Sequence, residues 1–235
     1  MFLEKLKRFS AEKYLILFLV ILGIEGFSKN SFALSHLIIS PIVASVSDFV
    51  VNYVRYERKE FPEHGLITGL IIALVLSPVS LFASVIIPLA AVTLKHIIRY
   101  KGRNIFNPAA LGMFVSAILG VHAAWWSISL LVIPFGLIVA YKIRRLYNPL
   151  SFVALSIAYD FIVSGSFSLN TSMFFFAFVM LLEPVTSPYT KKGQLIFGIS
   201  AALLSSLFAF LNATDIFLPG LLIMNLFTHW LNKVK

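Results

Sequence analysis

The sequence predicts an all-α protein, a polytopic transmembrane helical bundle of about ten helices. Three observations predict it. Hydrophobic residues make up 59% of the 235 positions and charged residues 12%, against about half and about a quarter in a soluble globular domain. Most surfaces therefore face lipid or other helices. The 23 Phe are spread along the whole chain, so the apolar excess is not one local tail. The basic residues fall in short clusters at every second connection between apolar runs, as in a chain that crosses a bilayer back and forth.

The elements follow in order. Tyr14–Phe27 is preceded by a basic stretch from Met1 to Lys13. Gly23-Ile24-Glu25-Gly26 makes a poor signal-peptide cleavage site and more runs follow, so this is a retained first helix. Phe32–Val54 can span unaided, since a span takes ~17–25 residues. Leu66–Phe82 and Val85–Ile98 follow, with the Pro78-Val79-Ser80 turn near their junction. Ile105–Gly120 contains Asn107-Pro108, a cap followed by a first-turn proline. Trp125–Tyr141, Leu150–Val163 and Met173–Leu182 come next, the last ended by Glu183-Pro184. Leu195–Leu211 and Ile216–Leu231 complete ten. Several are too short for a full span and must extend into their flanks, tilt or be partly broken. No polar stretch is long enough for a separate soluble unit, so residues 1–235 are expected to form a single integral membrane domain.

Alternating the connections from a cytoplasmic N-terminus places Lys5, Lys7, Arg8 and Lys13 inside, then Arg55, Arg58 and Lys59, then Lys95, Arg99, Lys101 and Arg103. Lys142, Arg144 and Arg145, then Lys191 and Lys192, then Lys233 and Lys235 also fall there. Of the 19 Lys and Arg, Lys29 alone is left outside. This asymmetry predicts an even number of spans, both termini cytoplasmic, in the cell (plasma) membrane. The net charge of +9 is thus assigned to topology and anionic headgroups, and no nucleic-acid partner is expected. Ser28–Ser31, Val121–Ala124, Gly165–Asn170 and Asn212–Asp215 leave no room for an outer domain. There is no Cys, which excludes a disulfide framework, thiolate iron–sulfur ligation and a Cys-based zinc site. His36, His64, His96, His122 and His229 show no metal-ligand or paired-haem spacing, so no metal site is expected. Walker, dinucleotide and nucleophile-elbow motifs are missing, and no catalytic residue is identified.

The runs hint at a 5+5 inverted repeat. Leu76-Ser77-Pro78-Val79-Ser80 ends the third and Leu182-Glu183-Pro184-Val185-Thr186-Ser187 the eighth. Ile105-Phe106-Asn107-Pro108 opens the fifth and Ile216-Phe217-Leu218-Pro219 the tenth. Members of each pair are five helices apart and cross the membrane in opposite directions, an arrangement that places a site where the halves meet.

Polar groups within the bilayer each need a reason. Asp160 lies inside the seventh run, from where it either hydrogen-bonds a neighbouring helix or serves an ion or proton pathway. Asp48 lies two turns before Arg55 on one helical face, which suggests an interfacial, snorkelling role. Glu183 stands beside backbone groups that Pro184 frees, and such breaks are tolerated where backbone lines a cavity. Asn104 and Asn107, three apart, face one way in helical geometry.

Four blocks carry a family resemblance: Gly65-Leu66-Ile67-Thr68-Gly69-Leu70 with Leu76-Ser77-Pro78; Lys95-His96-Ile97-Ile98-Arg99-Tyr100-Lys101-Gly102-Arg103-Asn104-Ile105-Phe106-Asn107-Pro108-Ala109-Ala110; Phe178 to Pro188 with Gly193 and Ile196-Phe197-Gly198; and Leu222-Ile223-Met224-Asn225. From the second helix to the end, the chain resembles the NqrB- and RnfD-like membrane subunits, the former from the sodium-pumping NADH:quinone oxidoreductase and the latter from the Rnf electron transport complex. The resemblance implies a ten-helix inverted-repeat subunit of an oxidoreductase complex, not a self-sufficient enzyme. It would hold flavin and help move electrons across or within the membrane, coupled to ion movement. The family's Asn-containing block lies by a non-covalent flavin, riboflavin or FMN, which carries over to Asn104 and Asn107, with Thr68, Glu183 and Thr186 lining the site where the halves meet. Partners would be flavin or iron–sulfur redox subunits docked on the basic cytoplasmic face.

The chain departs from the family pattern in three respects. The Ser-Gly-Ala-Thr motif whose Thr bears covalent FMN is missing after the fifth helix, where Gly120-Val121-His122-Ala123-Ala124-Trp125-Trp126 stands; Ser164-Gly165-Ser166 lies elsewhere and lacks the Ala-Thr. No covalent FMN is therefore expected. Glu183 replaces the family's Asp before Pro. The chain is shorter than the full subunits and is expected to be a compact, divergent member. The alternative is a small-solute or ion transporter or channel of the same architecture, which a continuous path lined by Asp160 or Glu183 would favour; a structural subunit docking a catalytic partner is a third reading.

Overall fold

The computed structural model describes residues 10–29, 34–76, 80–165 and 170–234. Lys5, Lys7, Arg8, Asn30, Ser31, the Ser77-Pro78-Val79 turn, most of the Gly165–Asn170 connection and Lys235 lie outside these stretches. Among the described residues there are ten helices and one small hairpin, an all-α membrane bundle. The helices are α1 (Ala11–Lys29), α2 (Leu34–Tyr56), α3 (Glu63–Val75), α4 (Leu81–Ile97), α5 (Pro108–Ile118), α6 (Val132–Lys142), α7 (Tyr147–Ser164), α8 (Thr171–Met180), α9 (Lys191–Phe210) and α10 (Leu218–Leu231). Strands β1 (Arg99–Tyr100) and β2 (Arg103–Asn104) pair antiparallel between α4 and α5. Lys101 and Gly102 turn the hairpin with φ of 49° and 77°, the positive angles a tight two-residue turn requires. Local capping sets several starts: Ser80, Asn107, Asn170 and Thr190 each accept a first-turn N–H through the side chain, as small polar residues do at this position.

α2 shows the inside-out pattern of a membrane helix. Leu34, Ile38, Ile42, Val46, Val50 and Val54, at four-residue spacing, are all exposed, while His36, Ser40, Ala44 and Asp48 at the same spacing are buried. The apolar stripe faces lipid and the polar and small residues face the protein. α3 fits against that buried stripe through Gly65 and Gly69. A Cβ on Gly69 would come within 2.5 Å of Pro41 Cα, and one on Gly65 within 2.7 Å of Asp48 Cβ. Small residues four apart allow this backbone approach between membrane helices.

Three apolar runs differ from their helices. Leu66–Phe82 does not continue as one helix: α3 stops at Val75, and Phe82 belongs to α4. Ile105–Gly120 yields a helix only from Pro108 to Ile118. Trp125–Tyr141 is helical only from Val132. For the segment before α6 the reason is hydrogen bonding across elements. α3 has 13 residues, about 20 Å, too short for a ~30 Å core, so its last carbonyls open inside the protein. The segment before α6 stays irregular and satisfies them: Ala124 N and Trp125 N donate to Val75 O, both at 2.8 Å, and Trp126 Nε1 donates to Ala73 O at 3.0 Å. Irregular backbone at membrane depth is allowed on this condition.

Helix packing follows the repeat in part, since α3 also packs on α4 and on α5 whereas the matching contacts of α8 with α9 and α10 are slight or missing among the described residues. α1 packs on α3 as α6 on α8, α2 on α3 as α7 on α8, and α2 on α4 as α7 on α9, while α4 packs on α5 as α9 on α10. The halves meet through α1 with α6 and α5 with α10, each an element beside its own counterpart, as a twofold relation requires.

The basic ends meet at one side of the bundle. Arg55 Nη1 donates to His96 O, Arg99 reaches the Tyr56 hydroxyl, and Lys142 lies over the Tyr14 ring. Gln194 Nε2 donates to Arg144 O, Lys191 lies over the Tyr147 ring, and Tyr189 N donates to Asn232 Oδ1. At the other side Leu76 bridges Ala123, and Trp125 Nε1 donates to Asp215 Oδ2.

Candidate functional site

The start of α5, the end of α8 and the middle of α10 converge on Asn107. Its Oδ1 accepts from Ala110 N at 3.1 Å, capping α5. Its Nδ2 donates to Met180 O at 3.1 Å, and its backbone N donates to Asn225 Oδ1 at 2.9 Å. The last five residues of α8 wind as a π-turn, with Leu181 N donating to Phe176 O at 2.9 Å. Such turns recur at functional sites. Beyond α8 the chain lies on the basic side and is clamped. Thr186 O accepts from Asn225 Nδ2 and Thr228 Oγ1, Pro184 O accepts from Arg145 Nη2, and Tyr189 O accepts from Gln194 Nε2.

The start of α5 and the end of α8, together with residues of α1, α3 and α6, line a cavity of about 110 Å³. Ile67, Ile71, Val139, Phe178, Val179 and Leu182 give it apolar walls. Thr68, Asn104, Asn107 and Glu183, four of the five residues expected to bind cofactor, line it together. The fifth, Thr186, is buried behind it and donates its hydroxyl to Glu183 Oε2 at 2.7 Å. Both ends of the Asn107 amide hold the protein's own backbone, so Asn107 shapes the site, whereas Asn104 also borders two neighbouring cavities and stands at their junction. Thr68 Oγ1 donates to His64 O at 2.8 Å, leaving its oxygen able to accept. Burial pushes the Glu183 carboxyl up to about 7, against the Thr186 hydroxyl and the Lys95 charge, which pull it down.

Asp160 is not brought to this cavity. It sits near the end of α7, partly exposed, and lines none of the three cavities described. Asp48 differs from the snorkelling role expected of it. It is 2% exposed, with Lys95 Nζ at 2.7 Å and His96 Nε2 at 2.8 Å, both on Oδ1. Its partners lie on α4, beyond the reach of periodicity along α2. In the sequence Lys95 reads only as a topology charge and His96 as an isolated histidine; the signal that could have found them is the spacing His36, Ser40, Ala44, Asp48, a polar stripe too long to be interfacial.

Toward the opposite side the cavity gives way to packed aromatic rings. Phe152 and Phe176 have centroids 5.1 Å apart, Phe176 and Phe217 5.0 Å, and Trp125 and Phe217 5.5 Å.

Residues 113–235, from α5 to the end of the chain, match the model of the NQR2, RnfD, RnfE family. Asp160, Glu183 and Thr186 lie within the matched stretch, and Thr68, Asn104 and Asn107 precede it. No curated protein matches the chain.

Proposed function

The chain belongs to the NQR2, RnfD, RnfE family, membrane-embedded subunits of Rnf- and Nqr-type complexes, and from that premise we propose that it is a flavin-associated electron-transfer subunit whose flavin, riboflavin or FMN, is held non-covalently in the cavity at Asn107. The observation that carries this reading is the convergence of Thr68, Asn104, Asn107 and Glu183 on one apolar-walled cavity between the halves. The fit is chemical. Apolar walls suit the faces of an isoalloxazine ring, and amide, hydroxyl and carboxyl groups suit its donor and acceptor edge. A bound flavin supplies the electron-transfer chemistry. The protein's part is to orient the ring, exclude water from its faces and hold charge near it. Glu183, whose proton affinity burial raises, would set that charge, and Asn107 would keep the helix ends in place around the ring.

The packed Phe152, Phe176 and Phe217 rings beyond the cavity favour electron transfer over solute passage, because electrons tunnel through packed side chains and solutes do not pass them. The basic side, with its clamped segment from Glu183 to Thr190, is the surface for flavin- or iron–sulfur-containing partner subunits, and we place it in the cytoplasm by the charge asymmetry.

The test is an absorbance spectrum of the detergent-purified protein, followed by titration with riboflavin and FMN. Flavin absorbance, or saturable binding that Asn104→Leu weakens by about tenfold or more, as expected for a lost hydrogen bond to a charged or buried partner, is the expected result. Protein that carries no flavin and binds neither compound would sink the proposal.

A further inference from the structure

The hairpin between α4 and α5 stands beside the last turns of α10, and a cleft of about 640 Å³ opens between them, the size of a small-molecule site. Tyr100 and Arg103 are directly opposite in the hairpin, so their side chains share one of its faces. The Tyr100 ring meets the His229 ring edge-on at 5.6 Å, which turns that face toward α10. Lys101, Arg103 and His229 are exposed and border the cleft, and no Asp or Glu among the described residues borders it. Lys101 lies over the Tyr100 ring, and neither it nor Arg103 forms an ion pair among the described residues. Arg99, on the opposite face of the hairpin, is engaged with the Tyr56 hydroxyl and Gly102 O. The polar space at Asp48 shows the contrast: its Lys95, Arg58 and Arg99 are offset by Glu12, Asp48, Glu60 and Glu63.

The other wall of the cleft is apolar. Leu226 and Trp230 border it and are 52% and 60% exposed. With Ile223 and Phe227 they form an exposed stripe at helical spacing along α10, and such a stripe on a membrane helix faces lipid, as it does on α2. The cleft therefore opens sideways to hydrocarbon and endwise to the basic side. Tyr100 and Trp230 stand where the stripe ends and the cations begin, the level at which such rings collect in membrane proteins. At the floor Asn225 and Thr228 are buried and committed to Asn107 N and Thr186 O, which leaves recognition to the exposed cations.

We propose that this cleft holds one phospholipid with an anionic headgroup, drawn from the leaflet on the basic side. Its phosphate accepts hydrogen bonds from Arg103 and Lys101 and lies against His229, and an acyl chain runs along Leu226 and Trp230. Cations without acids select an anion. The apolar wall selects the source. A phosphate without chains leaves Leu226 and Trp230 bare, and a soluble anionic partner cannot reach a wall that faces hydrocarbon. The proposal does not depend on a flavin in the cavity at Asn107.

Trp230 reports on the cleft directly. The full chain is placed in phosphatidylcholine nanodiscs in which about a tenth of the lipid is replaced by phosphatidylglycerol with brominated, quenching chains, or by the matching brominated phosphatidylcholine. The difference in quenching between wild type and Trp230→Phe isolates Trp230. Trp125 and Trp126, whose ring nitrogens hold Asp215 and Ala73 O, stay in place. Phosphatidylglycerol should be preferred by about 25-fold, taking about fivefold for each of the two hairpin cations. Lys101→Gln combined with Arg103→Gln should abolish the preference. Arg58→Gln combined with Lys192→Gln removes the same charge away from the cleft and should keep it. All four positions are exposed, so folding is not at stake. Inorganic phosphate at constant ionic strength should displace nothing. Equal quenching by the two lipids in wild type overturns the proposal and leaves the cleft to a partner subunit. A preference that survives Lys101→Gln with Arg103→Gln also overturns it. So does one that both double variants lose alike, which would be the general attraction of a basic surface. Displacement by phosphate would make this a free-phosphate site and overturn the lipid. No flavin enters the measurement, so each of these outcomes leaves the flavin proposal standing.

Discussion

Glu183 follows α8 against apolar walls, with the Thr186 hydroxyl on one oxygen and Lys95 nearby. Burial raises its carboxyl from 4.5 to about 7, so between those values the folded protein holds a proton that the unfolded chain has released. The protonated native form is favoured, and this contribution is fully present below pH about 4.5 and is lost as pH rises through about 7. Glu183→Gln keeps an acceptor for Thr186 and carries no charge. The expected outcome is that wild type loses more thermal stability than Glu183→Gln between pH 5 and pH 8, measured by melting of the detergent-purified protein; parallel pH profiles would contradict it. Thr68, Asn104, Asn107 and Glu183 fall in the blocks that carry the family resemblance, and Asn107 and Glu183 also stand at a helix start and a helix break, where a polar group in a bilayer has work other than facing lipid; that the four line one cavity is what the structure adds. The pairing of Asp48 was not legible in the sequence. Its partners Lys95 and His96 are 47 and 48 residues away, on another helix, and a two-turn spacing to Arg55 offered a nearer explanation.

At the scale of elements, the short helices decide the architecture. α3 and α8 stop inside the protein, and each is finished by groups from elsewhere: the irregular stretch before α6 completes α3, while Asn107 Nδ2 and Asn148 Nδ2 complete α8 at Met180 O and Leu181 O. Apolar run length showed that something must be broken. It did not show where, because an irregular segment such as 124–131 is about as apolar as a helix and only its hydrogen-bond partners tell the two apart. The π-turn of α8 left no mark in the sequence for the same reason. The contact of α3 with α2 rests on a pair of glycines four apart, and it carries a sharp expectation. In Gly69→Val the new Cβ would meet the Pro41 and Ser40 backbone at 2.5 and 2.6 Å, which cannot yield as a flexible side chain would. α3 must move off α2, at a cost of about 1–3 kcal/mol for overpacking, and Thr68 on α3 moves with it. Melting should fall and flavin binding weaken together; a variant as stable as wild type would show that the close approach is not required.

The whole molecule is organised by where its charges sit. The connections that carry Arg55, Arg99, Lys142, Arg144, Arg145 and Lys191 gather at one end of the bundle. The charge clusters of the sequence and the hydrogen bonds between connections thus describe the same surface. That surface also carries the mouth of the cavity, so a partner docked on it would stand beside Asn104 and Lys95. We propose from the charge rule that this end faces the cytoplasm, and the absence of Cys makes the assignment testable with single introduced cysteines. Thr214 is exposed in the α9–α10 connection at the far end, and Arg58 and Lys233 are exposed at the basic end. Applied to intact cells, a membrane-impermeant maleimide should label Thr214→Cys directly, and should label Arg58→Cys and Lys233→Cys only after permeabilisation. The reverse pattern would turn the molecule over and put the mouth of the cavity on the outside. Labelling of all three in intact cells would break the alternation of spans from which the ten-helix reading of the charges began.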